Sequence, residues 1–292
     1  MKRAIQALLI VVIGVAAIAG PILFKAWRGA VERSRAQQAT EPFRIAGNLY
    51  YIGSTYSSAF LLTGPDGDVV LDAGEDEANV PFVMASLAKL GVDIKRVKAL
   101  INSDAHGAGG LAEIQQASGA ALFASRASAG IITAGGYDPE AALPARMLVR
   151  IGVASYQPAR VDHTITDGET IHVGPIALTA HVTGGASRGC TSWSFPVRDG
   201  DRVLNVVSVC GLTREAWLRY PGQDADLERS FTVLRSLPAD IWVTKASRAW
   251  GRYRKFAASR TAKNPADAFI DPAGYRSYID DAEDELHRGV VH

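Results

Sequence analysis

Residues 43–74 read FRIAGNLYYIGSTYSSAFLLTGPDGDVVLDAG. Four short apolar runs stand out: Phe43 to Ala46, Leu49 to Ile52, Ala59 to Leu62 and Asp68 to Leu71. The turn signals GN and GPDGD separate the outer pairs. Short apolar and aromatic runs bounded by Gly, Pro, Asn and Asp predict strands joined by tight turns. Beyond Gly74 the period changes. Val80, Val83, Met84, Leu87 and Leu90 fall at helical spacing, and Gly91 supplies a stop.

The same alternation continues along the chain. A strand from Val97 to Asn102 runs into the loop NSDAHGAGG (Asn102 to Gly110), which opens a helix from Leu111 to Ala117. A strand follows at Ala120 to Phe123. Five more strands are predicted: His163 to Ile165, Thr170 to Val173, Ala177 to Val182, Thr191 to Val197 and Arg202 to Val209. A helix from Asp224 to Leu237, a strand from Ile241 to Thr244 and C-terminal helices complete the pattern. Strands then helices, twice over, predict an α/β (α+β) chain folded as an αββα sandwich of two β-rich halves.

The 292 residues suffice for one large domain, and no boundary is visible after residue 42. A net charge of +1 argues against a nucleic-acid partner, which calls for a basic domain. The N-terminus is a separate matter. An apolar run from Ala4 to Phe24 is bracketed by Lys2, Arg3, Lys25 and Arg28. Its length matches the ~20 residues that span a bilayer as a helix. It reads either as a membrane anchor through residues 4–24 or as a signal peptide with a cleavage site at Ala17-Ile18-Ala19. The organisation read here is therefore 1–29 anchor or signal peptide, 30–41 polar linker and 42–292 folded domain. Cys190 and Cys210 flank a hairpin signal at Asp199-Gly200. They are either a cross-hairpin disulfide, which fits an oxidising compartment, or two buried thiols. The expected location is periplasmic or extracytoplasmic, anchored or secreted.

With residues 41–74, the segments GLAEIQQASGAALFAS, DGETIHVGPIALTAHVT, GCTSW, YPGQDADLERSFTVLRSLPADI and FIDPAGYRSYIDDAEDEL resemble, in order, the metallo-β-lactamase superfamily. The third subclass of metallo-β-lactamases is the best match, over roughly residues 41 to 288. The resemblance implies a two-zinc hydrolase fold, but the ligand motifs depart from it. The family carries His-x-His-x-Asp-His between an Asn-Ser pair and a Gly-Gly helix opening. Here the loop between Asn102-Ser103 and Gly109-Gly110 is two residues short. Aligned from the left, Asp104 replaces the first histidine and His106 keeps the second, while the Asp is deleted and Gly107 stands for the last; aligned from the right, even His106 falls at the wrong position. Ala186 takes the place of the next histidine, and Ala246 that of the final one.

Two zincs need about six protein ligands, and even one catalytic zinc needs about three. Asp104 and His106 are the residual metal candidates. The expectation is no cofactor, with at most one zinc ion as the alternative. The remaining histidines, at 163, 172, 181, 287 and 292, are read as packing or surface residues. Three cations lie beside the lost positions: Arg188, Lys245 and Arg248. Losing the metals leaves Asp104 and Asp72 without positive partners, a costly state for buried carboxylates. One reading pairs Lys245 or an arginine with Asp104. A second makes the cations an anion site, and a third leaves them as solvated charges. No serine-hydrolase motif or phosphate loop is present. The function expected is a pseudo-hydrolase that binds a small-molecule ligand or a protein partner. The alternative is a hydrolase of β-lactams or related amides and esters with one metal.

Overall fold

The computed structural model describes residues 37–74, 76–214 and 218–291. The apolar run 4–24, the start of the linker and His292 lie outside the described residues. The chain divides into two units, residues 1–38 and 39–292. Among the described residues no helix is long and apolar enough to cross a membrane.

The opening stretch forms four strands, β1 (Phe43–Ala46), β2 (Leu49–Tyr51), β3 (Phe60–Leu62) and β4 (Asp68–Leu71). They pair antiparallel in chain order, with Phe43 opposite Tyr51, Leu49 opposite Leu62 and Phe60 opposite Leu71. The first turn requires glycine. Gly47 has φ +51°, and a Cβ there would lie 2.2 Å from the Arg198 carbonyl oxygen.

The sheet then grows by parallel crossovers. Helix α1 (Val80–Lys89) leads to β5 (Val97–Ile101), and α2 (Leu111–Ser118) to β6 (Ala121–Ser125). Helices α3 (Arg126–Thr133) and α4 (Leu143–Arg150) precede β7 (His163–Ile165), which pairs parallel with β6. Two differences from the sequence reading appear here. Strand β7 completes the seven-stranded first sheet rather than opening the second half. Helices α3 and α4 were not read at all; α4 has no fully buried residue, and the apolar side chains Leu143, Met147 and Ile151 at its helical spacing are exposed.

Strands β3 and β4 are buried on both faces, which is why they read as unbroken apolar runs. Phe60, Leu62, Val69 and Leu71 face the core between the sheets. Leu61 and Val70 face the opposite way and pack with Val83, Leu87 and Ile114 of α1 and α2.

The second sheet holds β8 (Thr170–Val173), β9 (Ile176–Val182), β10 (Thr191–Asp199), β11 (Arg202–Val209) and β12 (Ile241–Thr244), in the order β12-β11-β10-β9-β8. Trp193, Phe195 and Val206 share the intersheet core with Leu62 and Ile101. Helices α5 (Gln223–Ser236) and α7 (Pro272–His287) contribute Leu227, Phe231, Tyr275 and Ile279 to the same cluster. The short helix α6 (Arg252–Ser259) stacks Phe256 on Phe43, ring centres 4.3 Å apart. Helices, sheet, sheet and helices make the αββα sandwich. The loops that follow β4, β5 and β12 all reach one cleft.

Candidate functional site

Asp72 follows β4 directly and is the one non-glycine residue with positive φ, +56°, among the described residues. Such a conformation costs of order 1–3 kcal/mol and persists only where its surroundings impose it. Two bonds do so. The Asp72 N–H donates to the Ile101 carbonyl at 2.9 Å, and the Asp72 carboxylate accepts the Ser103 N–H at 2.8 Å. The end of β4 is thereby tied to the loop after β5. Burial pushes the Asp72 carboxyl up to about 6, against the opposing pull of the Ser103 N–H and the Lys245 ammonium.

The loop itself is held shut from within. Asn102 continues the sheet by donating to the Phe123 carbonyl, and its side-chain amide donates to the Asp104 carbonyl at 3.0 Å. Asp104 caps a single 3-10 turn (Ala105–Gly107), with Oδ1 accepting the His106 N–H at 3.2 Å. Gly109 permits close packing where the next helix begins. A Cβ there would lie 2.8 Å from the Asp76 Cα.

The carboxylate of Asp104 is almost wholly buried and has two further partners. Ser187 donates its hydroxyl to Oδ1 at 2.8 Å. Lys245, the first residue past β12, places its ammonium on Oδ2 as an ion pair. Burial alone would raise the Asp104 carboxyl. The Lys245 charge, then His106 and the Lys245 and Ser187 hydrogen bonds, hold it well below the ordinary carboxylate range instead. Loops after β5, β9 and β12 thus converge on one anion.

His106 turns away from this pair. Its Nε2 stands 3.5 Å from Asp138 Oδ2, in the turn between α3 and α4. Burial would raise the Asp138 carboxyl too, yet His106 and the Glu140 and Ala141 N–H groups hold it low. Tyr156 pins the same loop, its hydroxyl donating to the Ala105 carbonyl at 2.6 Å.

The structure sorts the predicted residues plainly. Of the three cations, only Lys245 reaches Asp104. Arg188 is drawn outward by Glu140 at 2.9 Å and the Pro221 carbonyl at 3.0 Å, and it lies over the Tyr220 ring. Arg248 is exposed in the turn after β12 and joins no ion pair among the described residues. Of the readings left open, the pairing of Lys245 with Asp104 is the one this geometry matches. Ala246 is exposed and bridges Ser57, whereas Lys245 is the residue that enters the cleft. Ala186 is buried beside Cys190 and Cys210, and its N–H donates to the Gly211 carbonyl.

Cys190 and Cys210 form a disulfide, with Cα atoms 5.7 Å apart, so the two-thiol alternative falls. The Thr191 N–H beside it donates to the Ser103 carbonyl at 2.8 Å, joining the bridge to the loop. The other described histidines stay away. His181 bonds Ser194, His163 stacks on Phe123, His172 is exposed on β8 and His287 meets Glu228. Among the described residues, one trio of His, Cys, Asp or Glu side chains brings its ligand atoms within 4.8 Å of one another: Glu228, Glu283 and His287, on α5 and α7. Glu283 of that trio is already paired with Arg235. Sequence reasoning missed Ser187, Asp138 and Tyr156. Ser187 adjoins Ala186, a position the sequence reading singled out, and could have been found there; Asp138 and Tyr156 lie in the unread segment between β6 and β7.

The family description Metallo-beta-lactamase superfamily matches residues 52–245. Three solved structures are similar to this chain over nearly their whole length. Rm3 metallo-beta-lactamase is 34% identical, with 85% of this chain and 93% of that one covered and a TM-score of 0.77. A Cronobacter sakazakii metallo-beta-lactamase described by its HARLDQ motif is 29% identical, with 86% and 97% covered and a TM-score of 0.76. MEM-A1, a subclass B3 metallo-beta-lactamase from a soil metagenome library, is 27% identical, with 86% and 96% covered and a TM-score of 0.76.

Proposed function

Because the chain belongs to the metallo-beta-lactamase superfamily, a family of hydrolases, we propose that it is a member whose metal cleft has been rebuilt as a metal-free, non-catalytic binding site. The observation that carries this is the Lys245 ammonium on the buried Asp104 carboxylate. A fixed cation there takes the oxygen a metal would need and neutralises the charge that would attract one. The rest of the donor set agrees. Ser187 takes the other Asp104 oxygen, Ala186 has no donor side chain, and His106 faces Asp138. These residues do not fit two zinc ions, and nothing else here lowers the pKa of water to near 7 as zinc does.

The protein acts outside the cytoplasm in this reading, secreted or anchored through residues 4–24. The Cys190–Cys210 bridge supports an oxidising compartment, where disulfides persist. Its partner is a small-molecule ligand or another protein, and no nucleic acid. Metal analysis of the purified protein beside a β-lactam hydrolysis assay tests the proposal. The expected result is zinc far below one ion per chain and no turnover. Two zincs per chain with hydrolysis would refute it. Ala186→His with Lys245→His is expected to leave hydrolysis absent, because the short loop still lacks an Asp-His pair.

A second reading is a one-zinc hydrolase built on His106. It is favoured by the imidazole Nε2, which is buried without a hydrogen bond and faces a carboxylate. The Cronobacter protein also bears on it. Its HARLDQ motif holds a single histidine, and a variant of it replaces an arginine, a glutamine and a lysine with histidine. One zinc per chain, with hydrolysis lost in His106→Ala, would select this reading.

A further inference from the structure

Helix α4 and the turn after it differ from the rest of the surface. Leu143, Met147 and Ile151 recur every four residues and so share one side of the helix. With Val153 they are 60%, 56%, 66% and 59% exposed. The other large apolar side chains exposed among the described residues, Val203, Tyr253, Val290 and Val291, do not form such a stripe. A contiguous exposed apolar strip marks an interaction surface.

Charge identifies the partner. From Ala141 to Val161 the chain has no Asp or Glu and three arginines. Arg160 is paired with Asp162 at 2.6 Å. Arg146 donates to the Pro139 carbonyl, and Arg150 to the Tyr137 hydroxyl, 5.0 Å over whose ring it lies. Neither is neutralised by a carboxylate among the described residues. A second copy docked on this face would bring like charges together, which disfavours self-association. A basic amphipathic helix with an apolar face fits an anionic lipid surface. In the anchored form of the proposed function the apolar run 4–24 would tether the chain to a bilayer, with residues 30–41 reaching at most ~40 Å when extended.

We propose that α4 docks on anionic phospholipid, with Leu143, Met147 and Ile151 entering the acyl boundary and Arg146 and Arg150 at the phosphates. The same segment carries Asp138 and Tyr156, which hold the His106 loop. Docking therefore orients the cleft at the membrane.

The test uses the full chain in vesicles of phosphatidylcholine with or without phosphatidylglycerol. Both native cysteines are in the disulfide, so Met147→Cys offers a single thiol for an environment-sensitive fluorophore. The expected result is blue-shifted emission, quenched by spin-labelled lipid, only with phosphatidylglycerol, and no change for a label at Val203→Cys. Arg146→Gln with Arg150→Gln lowers the docked-to-undocked ratio about thirtyfold, from ~1 kcal/mol for each arginine. Equal behaviour in both lipid compositions overturns the proposal, and so does equal behaviour at both label positions. A concentration-dependent change at Met147→Cys without lipid would also overturn it and assign the face to a second copy.

Discussion

Replacing Lys245 by methionine keeps most of the stem volume and removes the charge. The Asp104 side chain is 1% exposed and that of Lys245 23%. Removing one partner of a buried pair costs ~3–5 kcal/mol, because the other charge is left unpaired. Asp104 keeps the Ser187 hydroxyl and the His106 N–H, and Lys245 is partly wet, so the low end applies: about 3 kcal/mol at pH 7. For a unit spanning residues 39–292, that lowers Tm by ~6–12 °C.

The pH dependence gives a sharper check. In the native protein the Asp104 carboxyl is depressed, so its contribution is present above the ordinary carboxylate pKa and is lost only as pH falls through the depressed value. Without Lys245, burial raises that carboxyl instead. The variant's penalty is then full above the raised pKa and is relieved by protonation as pH falls. The stability gap therefore narrows from pH 7.5 to pH 4.5, measured by urea unfolding followed through tryptophan fluorescence. Lys245→Met with Asp104→Leu recovers most of the loss, since neither charge remains buried. A gap below ~0.5 kcal/mol at pH 7.5, or one that does not change with pH, would refute the assignment of Lys245 as the cleft's structural cation.

Three other outcomes follow from the same structure. Asp72 is raised from an ordinary 3.8 to about 6, so its contribution is fully present below the unfolded value and is lost as pH rises through about 6. Asp72→Asn removes that loss, worth ~3 kcal/mol at most, and is expected to gain on the native protein between pH 5 and pH 7 in the same urea assay. Cys190→Ala with Cys210→Ala opens a 20-residue loop and costs about 3 kcal/mol, read as a lower urea midpoint. Gly47→Ala forces a Cβ against the Arg198 carbonyl at positive φ and is expected to lose more than ~1 kcal/mol, while Gly200→Ala, with open space around its Cβ, loses less.

The sequence by itself determined the αββα frame. Strands β3 and β4 sit between two apolar layers, so their burial on both faces is written as consecutive apolar residues, and turn glycines such as Gly47 are written as Gly-Asn. Helix α1 shows its core face at helical spacing for the same reason: each signal is local, confined to neighbours along the chain. The departure of the Asn102–Gly110 loop from the family motif was legible too, because it is a matter of residue type. What only the tertiary structure decided is who neutralises Asp104. Lys245 is 141 residues away in the chain, and Arg188 and Arg248 carry the same charge nearby. The choice depends on the direction in which β12 ends and on Glu140 drawing Arg188 outward. Helix α4 stayed unread although Leu143, Met147 and Ile151 recur at helical spacing: eight residues make barely two turns, too short a run for period alone to decide, and only the tertiary structure left that stripe exposed.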